Sequence, residues 1–473
     1  MRKHALTQGL TQARKGLCFA FVAWGFLAPT VPTAQQAPQT EITLDQARSL
    51  AHQALRHNDP MLAIQLANGL LQANPDDAGA LFILSQARFM AGDHKAARKA
   101  SAKAYRLGLS SKERVRAAEM AARASLHEER PTLTQLWLRR AALHVEDDVA
   151  KDRIASDYAI VRQMNPFSFR LGGGVRPSNN VNNGADSALQ VIDGVPLVGS
   201  LSGGAQALEG TIATFDVDLA YRLRQTETSQ TRIGSRFYMR RVKLSSSAKA
   251  QAPEIDESDF DSTYLDVSLT HAFALGAKGN TASVGARLGR AWAKGDKDYD
   301  FASLSLSRSI KLGDPTRLSF AITAEERDVA RNAVFDQTRL QFNASVSHKL
   351  GNGDRIGLSY AITDADSDHI NYRSTAQSLR GSYAFADPVG PAKVSASVTY
   401  GDTKYPDFQI GFIEVPGGRH DKSLYGDVTF FFEDFDYGGF APSVRLRTGK
   451  RDSNVSRYDS NEFSINFEIR STF

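Results

Sequence analysis

The sequence is almost free of cysteine. Cys18 is the only cysteine among the 473 residues, and it lies in a short apolar run near the N-terminus. Lys15 stands three places before it, where the signal sequence of a lipoprotein has leucine, so we expect no lipid anchor on Cys18. A chain without a second thiol forms neither internal disulfides nor thiolate metal sites. Apolar burial and backbone pairing must therefore hold the fold together.

Long apolar runs and strong net charge are also scarce. The apolar run Leu17–Ala28 is shorter than the roughly 20 residues of a membrane-spanning helix. It follows Arg14 and Lys15 and precedes small residues, which predicts a secretory signal peptide cleaved near Ala34; a membrane anchor is the alternative. The net charge of +5, without recurring Lys/Arg blocks, does not favour nucleic-acid binding. We therefore expect an exported protein with no nucleic-acid partner.

Apolar residues at spacings of three and four predict helices from Leu44 to about Gln163. Aligning Asp59 with Asp93 places Ala63 opposite Ala97, in a 34-residue repeat similar to the tetratricopeptide repeat (TPR). The repeat pattern is lost at Pro131 in a third unit. A generic helical bundle is the alternative, and either arrangement offers a groove for a peptide or a protein.

After Asn165-Pro166 the apolar residues alternate with polar ones, as in strands. Most alternating segments run 10 to 15 residues, which suits tilted strands that cross a membrane. Fourteen such segments begin near Phe167, Ile212, Thr231, Asp261, Thr281, Phe301, Arg317, Thr338, Arg355, Ser374, Ala392, Ser423, Phe440 and Glu462.

The links between these segments alternate between short turns, such as "GDP" and "GNG", and mostly longer stretches. This alternation is typical of an outer-membrane barrel, whose closed sheet leaves no unpaired edge in lipid. We therefore predict an α + β multidomain protein. It has a signal peptide over residues 1–34, a periplasmic TPR-like helical-hairpin domain over 35–165, and a 14-stranded antiparallel transmembrane β-barrel over 166–473.

If the apolar series of each strand faces lipid, the opposite series lines the lumen, where charges avoid hydrocarbon. One interpretation is a charged lining that contacts cargo, and the other is an interior salt-bridge network that stiffens the wall. The predicted lumenal charges are Asp216, Asp218, Arg232, Arg236, Arg240, Arg445, Arg447, Glu468 and Arg470.

Four asparagines follow the first predicted strand, in "RPSNNVNNGAD". Asparagine tolerates left-handed backbone and bonds to nearby backbone groups. Asn179, Asn180, Asn182 and Asn183 are therefore predicted to turn the chain at a barrel rim, as a functional element or as an ordinary turn.

The predicted helical domain followed by the barrel resembles the surface lipoprotein assembly modifier (Slam) family. The local similarity lies in the junction "NPFSFRLGGGVRPSNNVNNGA" and in the terminal "FEIRSTF". Phe467, Ile469 and Phe473 resemble the C-terminal signal by which bacterial barrels are recognised for insertion, although Ser471 stands where an apolar residue is usual.

This resemblance implies an outer-membrane translocon of a Gram-negative bacterium that moves client surface lipoproteins or secreted binding proteins to the cell surface. It implies no catalytic machinery, nucleotide or metal. The implied partners are the client, outer-membrane lipid, the barrel-assembly machinery and periplasmic chaperones.

Three other functions stay open at this point. A TPR-linked export porin for polysaccharide and a small-solute porin share parts of the predicted architecture. A barrel hydrolase is the third, although the sequence has neither Gly-x-Ser-x-Gly nor His-Glu-x-x-His. Acidic segments such as "GDKDYD", interpreted as loops, lack the spacing of a calcium-binding motif.

Overall fold

The computed structural model describes residues 42–437 and 440–471. The predicted signal peptide and Phe473 lie outside these residues. No helix in the described ranges combines the length and the apolar character needed to cross a membrane.

Antiparallel helical hairpins form the first part of the described chain. Asp, Ser and Thr side chains cap most of these helices by accepting backbone N–H bonds. The helices are α1 (Leu44–Arg56), α2 (Pro60–Ala73), α3 (Ala78–Met90), α4 (His94–Leu107), α5 (Ser111–His127), α6 (Pro131–Ala142) and α7 (Asp148–Met164).

The 34-residue alignment corresponds to equivalent positions in two successive hairpins. Asp59 caps α2 by accepting from Leu62 N at 3.1 Å, and Asp93 caps α4 by accepting from Ala96 N at 3.0 Å. Ala63 and Ala97 are both fully buried, so the paired helices approach closely.

The sequence analysis predicted that the repeat is lost at Pro131, but the structure continues with a further helix there. Pro131 occupies the first turn of α6, as Pro60 does in α2, where its missing N–H costs nothing. A third hairpin, α5 with α6, therefore exists. The spacing changes because α5 has 17 residues, whereas α3 has 13.

The second part of the chain is a closed antiparallel barrel in which each strand pairs with its sequence neighbours and β1 pairs with β14. The fourteen barrel strands are β1 (Phe167–Ser178), β2 (Gly210–Gln225), β3 (Ser229–Leu244), β4 (Ser262–Ala274), β5 (Thr281–Ala293), β6 (Asp296–Leu312), β7 (Thr316–Val329), β8 (Gln337–Lys349), β9 (Arg355–Asp366), β10 (Ser374–Ala384), β11 (Lys393–Tyr405), β12 (Arg419–Phe431), β13 (Phe440–Ser453) and β14 (Ser460–Ser471).

The fold class and the strand count predicted from the sequence are thus confirmed. The largest errors in strand position are at β6, which begins at Asp296 and not near Phe301, and at β12, which begins at Arg419 and not near Ser423. Both strands start with charged residues that extend the alternation beyond its apolar part.

The two ends of the barrel carry different connections. At the end next to the helices, which we call the helical end, turns such as 226–228 and 313–315 join the strands. At the opposite end, the loop end, longer segments predominate, including 179–209, 245–261 and 406–418. A short helix, α8 (Ser246–Gln251), lies in the second of these.

One connection at the loop end is as short as a hairpin allows. Lys294 and Gly295 join β5 to β6, with φ values of +57° and +85°, the left-handed pair that a two-residue hairpin requires. The "GDKDYD" segment therefore lies in this turn and in β6, and the interpretation as an acidic loop was wrong.

Candidate translocation pore

Apolar side chains cover the outer face of the barrel. Phe215, Leu265, Leu288, Leu304 and Leu340 are among the large apolar residues exposed on the strands, with Leu304 reaching 67% exposure. Such a surface is stable in lipid and costly in water. The alternate residues of each strand consequently face the lumen.

The predicted charges on β2 and β3 come together on the lumenal wall. Arg236 donates from Nε to Asp216 Oδ1 at 3.0 Å and from its terminal nitrogen to Oδ2 at 2.8 Å. Asp218 accepts from Arg170 on β1, a residue that the sequence analysis did not single out. These bonds cross from strand to strand, so they stiffen the wall as well as charge it.

Arg240 and Arg232 behave differently from Arg236. Arg240 donates to the carbonyl oxygens of Phe260 and Val181, at 2.6 and 2.7 Å, and so holds two loop segments against the barrel. Arg232 lines a cavity of about 860 Å³ between the barrel and α7, near the helical end. The predicted lumenal charges thus occupy both ends of the pore.

A second group of charges lies on β12, β13 and β14. The nearly buried carboxylate of Asp427, 5% exposed, accepts from Arg445 at 2.6 Å and lies 3.6 Å from Arg447. Arg447 also lies 3.4 Å from Glu462, which in turn pairs with Arg176 of β1 at 3.0 Å. This network joins the first and last strands through their side chains.

Glu468 and Arg470 pair with each other on β14, at 2.6 Å. Most of the predicted charges therefore bond to neighbouring charges or to backbone carbonyls. Whether any of them contacts a client stays a prediction.

Sequence reasoning missed Asp427, Glu462 and Arg176, although the alternation could have identified them. In "LYGDVTF", Asp427 shares a strand face with Tyr425 and Thr429, opposite Leu424 and Val428. Their partners could not be predicted, because these depend on the register between neighbouring strands.

At the loop end, residues 179–209, 406–418 and 454–459 pack together and form what we call the cap. Its apolar core contains Ile192, Phe408, Val415 and Val455, all less than 9% exposed. Backbone atoms of Asp193 and Asn454 bond across it at 2.9 Å. The cap therefore has a small hydrophobic core of its own and is not a set of separate loops.

A buried ion pair lies beneath this core. Arg419 and Asp421 at the start of β12 pair at 2.5 Å, with side chains 8% and 6% exposed. The guanidinium also lies over the rings of Tyr458, Tyr405 and Phe408, at 3.2, 4.4 and 5.3 Å. Arg419 thus ties the cap to the barrel through charge and cation–π contacts.

Within the cap, burial raises the pKa of the Asp459 carboxyl above its usual range, and the carboxylates of Asp452, Asp186 and Asp421 act in the same direction. The backbone N–H of Ser453, at 2.6 Å, offsets part of this effect.

The four asparagines fasten the start of the cap. Asn179 accepts from Phe463 N of β14 at 3.0 Å, and Asn180 exchanges two 2.9 Å bonds with the backbone of Gly184. Asn182 donates to Gly204 and Gln206 carbonyls and accepts from Leu208 N. Asn183 has a φ of +52°, the left-handed conformation. The asparagine run therefore makes hydrogen bonds that hold the start of the cap in place, and it is not only a tight turn.

At the helical end the helices contact the barrel mouth. Arg222 of β2 donates to the carbonyls of Gln163 and Met164 at 3.0 and 2.8 Å. Arg139 of α6 stacks over Phe440 of β13 at 4.9 Å. From these contacts a cavity of about 880 Å³ extends along the lumen, lined by α6, α7, β1, β2, β3, β13 and β14. The helices therefore reach the mouth of the pore.

The described residues of the predicted insertion signal lie on the lipid face. Phe467 and Ile469 are 53% and 60% exposed. Their recognition by other proteins stays a prediction.

In residues 42–437 and 440–471, no group of three or more His, Cys, Asp or Glu side chains is placed to hold a metal ion.

A 14-stranded barrel with an apolar outer face and a charged, internally paired lumen defines the class of outer-membrane barrel proteins. The family model SlipAM, the surface lipoprotein assembly modifier, matches residues 206–473. Because this match covers more than half of the chain, the protein belongs to that family. It is an outer-membrane translocator, and its helical end faces the periplasm.

The search of curated proteins found no match. Among solved structures, the type III secretion translocator chaperone SycD from Yersinia enterocolitica is 17% identical, with 26% of this chain and 88% of SycD covered and a TM-score of 0.24. An outer membrane channel from Pseudomonas putida F1 is 13% identical, with 64% and 95% covered and a TM-score of 0.33. A bacterial polysaccharide outer membrane secretin is 9% identical, with 64% and 98% covered and a TM-score of 0.33. Likenesses of this size carry no functional argument.

Proposed function

We propose that this protein moves client proteins, surface lipoproteins in the first place, from the periplasm to the cell surface. In this proposal residues 35–165 form the mature periplasmic domain, which receives the client, and residues 166–473 form the translocating barrel. The client enters at the helical end and leaves through the cap. Periplasmic chaperones deliver the client, and the barrel-assembly machinery inserts the barrel.

The observation that carries this proposal is the contact between the helices and the barrel mouth. Arg222 bonds to the last turn of α7 and Arg139 stacks on Phe440, so a client held on the helices is already beside the lumen. A diffusion porin needs no such receiving surface. Family membership supports the same direction of transport.

The helices offer an apolar groove of about 480 Å³ for the client. Its apolar lining includes Met120, Leu126, Ile160 and Met164. The charged residues that also line it are Arg116, Glu119, Arg123, Arg153 and Asp157. Methionine side chains adapt to irregular apolar partners, which suits a surface that accepts a partly folded chain. Ile160 and Met164 are more than half exposed, so they are free to contact a client.

The test is deletion of the gene, followed by comparison of the proteins that external protease cleaves on intact cells. We expect one specific surface protein to disappear from the surface and to accumulate inside. Expression of the intact protein should restore it. Loss of extracellular polymer with an unchanged set of surface proteins would instead favour a polysaccharide exporter.

A groove variant tests the receiving step. Replacing Ile160 and Met164 with Asp should weaken client capture about tenfold, which corresponds to about 1.4 kcal/mol. Val149→Asp is the matched control, because Val149 is 76% exposed on the same helix and does not line the groove. Equal capture by both variants would remove the groove from the proposal.

A further inference from the structure

A lumenal cavity near the helical end is lined mainly by basic and hydroxyl side chains. Its volume of about 530 Å³ lies within the range of ligand sites in proteins, about 300–1,000 Å³. The charged residues of the lining are Arg355 of β9, Arg380 of β10, Asp427 of β12, Arg445 of β13 and Arg470 of β14. Four guanidinium groups thus share this cavity with one carboxylate. Serine hydroxyls of β8 to β11 add further hydrogen-bond donors.

The four arginines differ in their partners. Arg445 and Arg470 each pair with a carboxylate at 2.6 Å. Arg380 donates to the hydroxyl of Ser397 at 2.9 Å. In the described ranges, neither Arg355 nor Arg380 forms an ion pair, and both side chains are exposed. The cavity therefore contains two guanidinium groups that no carboxylate of the described chain neutralises.

Arg355 and Arg380 belong to the lumenal series of their strands. Their neighbours in the chain, Ile356 and Leu379, are 39% and 45% exposed in the apolar series of the outer face. Because side chains alternate between the two faces, both guanidinium groups lie in the lumen. Lys349 of β8 lies directly opposite Arg355, and like charges in such positions repel each other. An anion bound beside them would offset this repulsion.

The two arginines are separated mainly along the strands. Arg355 pairs directly with Ala384, and Arg380 lies four residues before Ala384 on β10. At roughly 3.3 Å per residue along a strand and 4.8 Å between strands, their Cα atoms are about 14 Å apart. Carboxylates of residues i and i+4 on one face of an extended chain are about 13 Å apart. The spacing therefore fits an extended polypeptide better than a single small anion.

We propose that Arg355 and Arg380 bind acidic side chains of the client while an extended segment of its chain passes through this part of the lumen. This inference rests on the proposed function and adds a chemical class of segment, one that carries Asp or Glu on one face. Each contact is an ion pair exposed to water, so each is weak. Weak contacts let the segment advance through the lumen without being held there.

Peptide binding to the purified full-length protein tests this inference. The probe is a short fluorescent peptide of alternating glutamate and serine, which presents its carboxylates on one face when extended. We expect binding at low ionic strength that weakens at physiological ionic strength, because salt screens exposed charges. A peptide of alternating lysine and serine of the same length should bind at least tenfold more weakly.

Two double variants show whether these arginines are responsible. Arg355→Gln with Arg380→Gln should lower the affinity for the acidic peptide about tenfold, because both positive charges are lost. The matched control is Arg331→Gln with Arg457→Gln, which removes the same charge from two exposed positions at the loop end and should bind as the native protein does. Heat-resistant mobility on gels shows that each variant is folded.

Charge reversal gives a gain of binding, which loss of folding does not mimic. Arg355→Glu with Arg380→Glu should bind the lysine–serine peptide more tightly than the acidic peptide. Native affinity for the acidic peptide in Arg355→Gln with Arg380→Gln, or an equal loss in the control, would overturn the inference. Tighter binding of inorganic phosphate or of polygalacturonate than of the acidic peptide would also overturn it, in favour of a small anion or an acidic polysaccharide.

Display of the client on cells separates this inference from the proposed function. If gene deletion leaves every surface protein in place, the proposed function fails and this inference fails with it. If deletion removes a surface protein, Arg355→Gln with Arg380→Gln should lower the display of that protein several-fold, and the loop-end control should not. Native display in Arg355→Gln with Arg380→Gln would overturn the inference alone and leave the proposed function in place.

Discussion

At its loop end the barrel carries the cap with its buried ion pair, Arg419 with Asp421, whereas at its helical end the strands are joined by short turns and the mouth is contacted by α6 and α7. The cap contains apolar side chains packed against each other, and a cavity of about 860 Å³ lies between α7 and the barrel at the helical end. The difference between the two ends is therefore one of packing: the cap has an apolar core with a buried ion pair, whereas the helices contact the other end through polar and cation–π contacts.

Removing the buried carboxylate of the cap is expected to have the largest effect. Asp421→Ala leaves the buried Arg419 guanidinium without a counter-charge, which should lower the free energy of unfolding by about 3–5 kcal/mol. Urea titration, with gel mobility as the measure of folded barrel, gives this quantity. Asp452→Ala is the control, because that side chain is 66% exposed and pairs with Lys450, so its loss should cost about 1 kcal/mol or less. Equal losses would mean that the cap does not anchor the barrel.

Removing the hydrogen bonds of Asn182 should have the next largest effect, on the stability of the cap. Asn182→Ala removes its bonds to Gly204, Gln206 and Leu208 and leaves backbone groups unpaired, at about 1–3 kcal/mol for each group that stays buried. We expect faster cleavage of residues 179–209 by external protease. Asn332→Ala, which loses one exposed bond to Val334 N, should leave the cleavage rate of that segment unchanged. If Asn182→Ala is cleaved at the same rate as the native protein, the asparagine run is an ordinary loop.

A change on the lumenal wall should affect transport more than stability. Arg236→Ala removes a bidentate pair with Asp216 from a partly exposed site, and we expect client display to fall several-fold while the barrel stays heat-resistant on gels. Arg317→Ala on β7 is the control, since this exposed lumenal side chain bonds at 3.0 Å to the hydroxyl of Ser309 and not to a carboxylate. Arg240→Ala should act instead through the cap, because Arg240 bonds to Val181. Unchanged display in Arg236→Ala would support a purely structural role.

The smallest effect is expected at the helical end. Arg139→Ala removes the cation–π contact with Phe440, worth about 0.5–1 kcal/mol, and the bonds from Arg139 to the Tyr158 hydroxyl of α7. It should increase proteolysis near the junction at Asn165 with no change in barrel unfolding. Arg140→Ala, which loses a stack on Trp137 within α6, should leave that proteolysis rate unchanged. Equal proteolysis in the two variants would show that Arg139 does not hold the helices to the mouth.

Local periodicity was enough to predict the helices, the repeat and the fourteen strands, because burial in these elements follows spacing along the chain. The equivalence of Asp59 and Asp93 and the burial of Ala63 and Ala97 are examples. The third hairpin was missed because the longer α5 shifts its register. The helix N-cap Ser110 and the first-turn Pro131 of this hairpin were present in the sequence, but the longer α5 places Pro131 outside the 34-residue spacing.

The cap could not be predicted in the same way. Asp186 bonds to Asn461, 275 residues later in the chain, and no periodicity relates the two positions. The lumenal face of each strand was readable from alternation, but the partners of each charge depend on register between strands. Asp427 shows this, since its bonds to Arg445 and Arg447 exist only after β12 and β13 pair.

The two-residue turn at Lys294–Gly295 offers a practical position for a label. It lies at the loop end, and the chain reverses there without contributing to residues 179–209, 406–418 or 454–459, which form the cap. Exposed hairpin tips tolerate insertions well. An epitope tag placed there should bind antibody on intact cells and report the orientation and surface abundance of the barrel while leaving the lumen and the cap untouched.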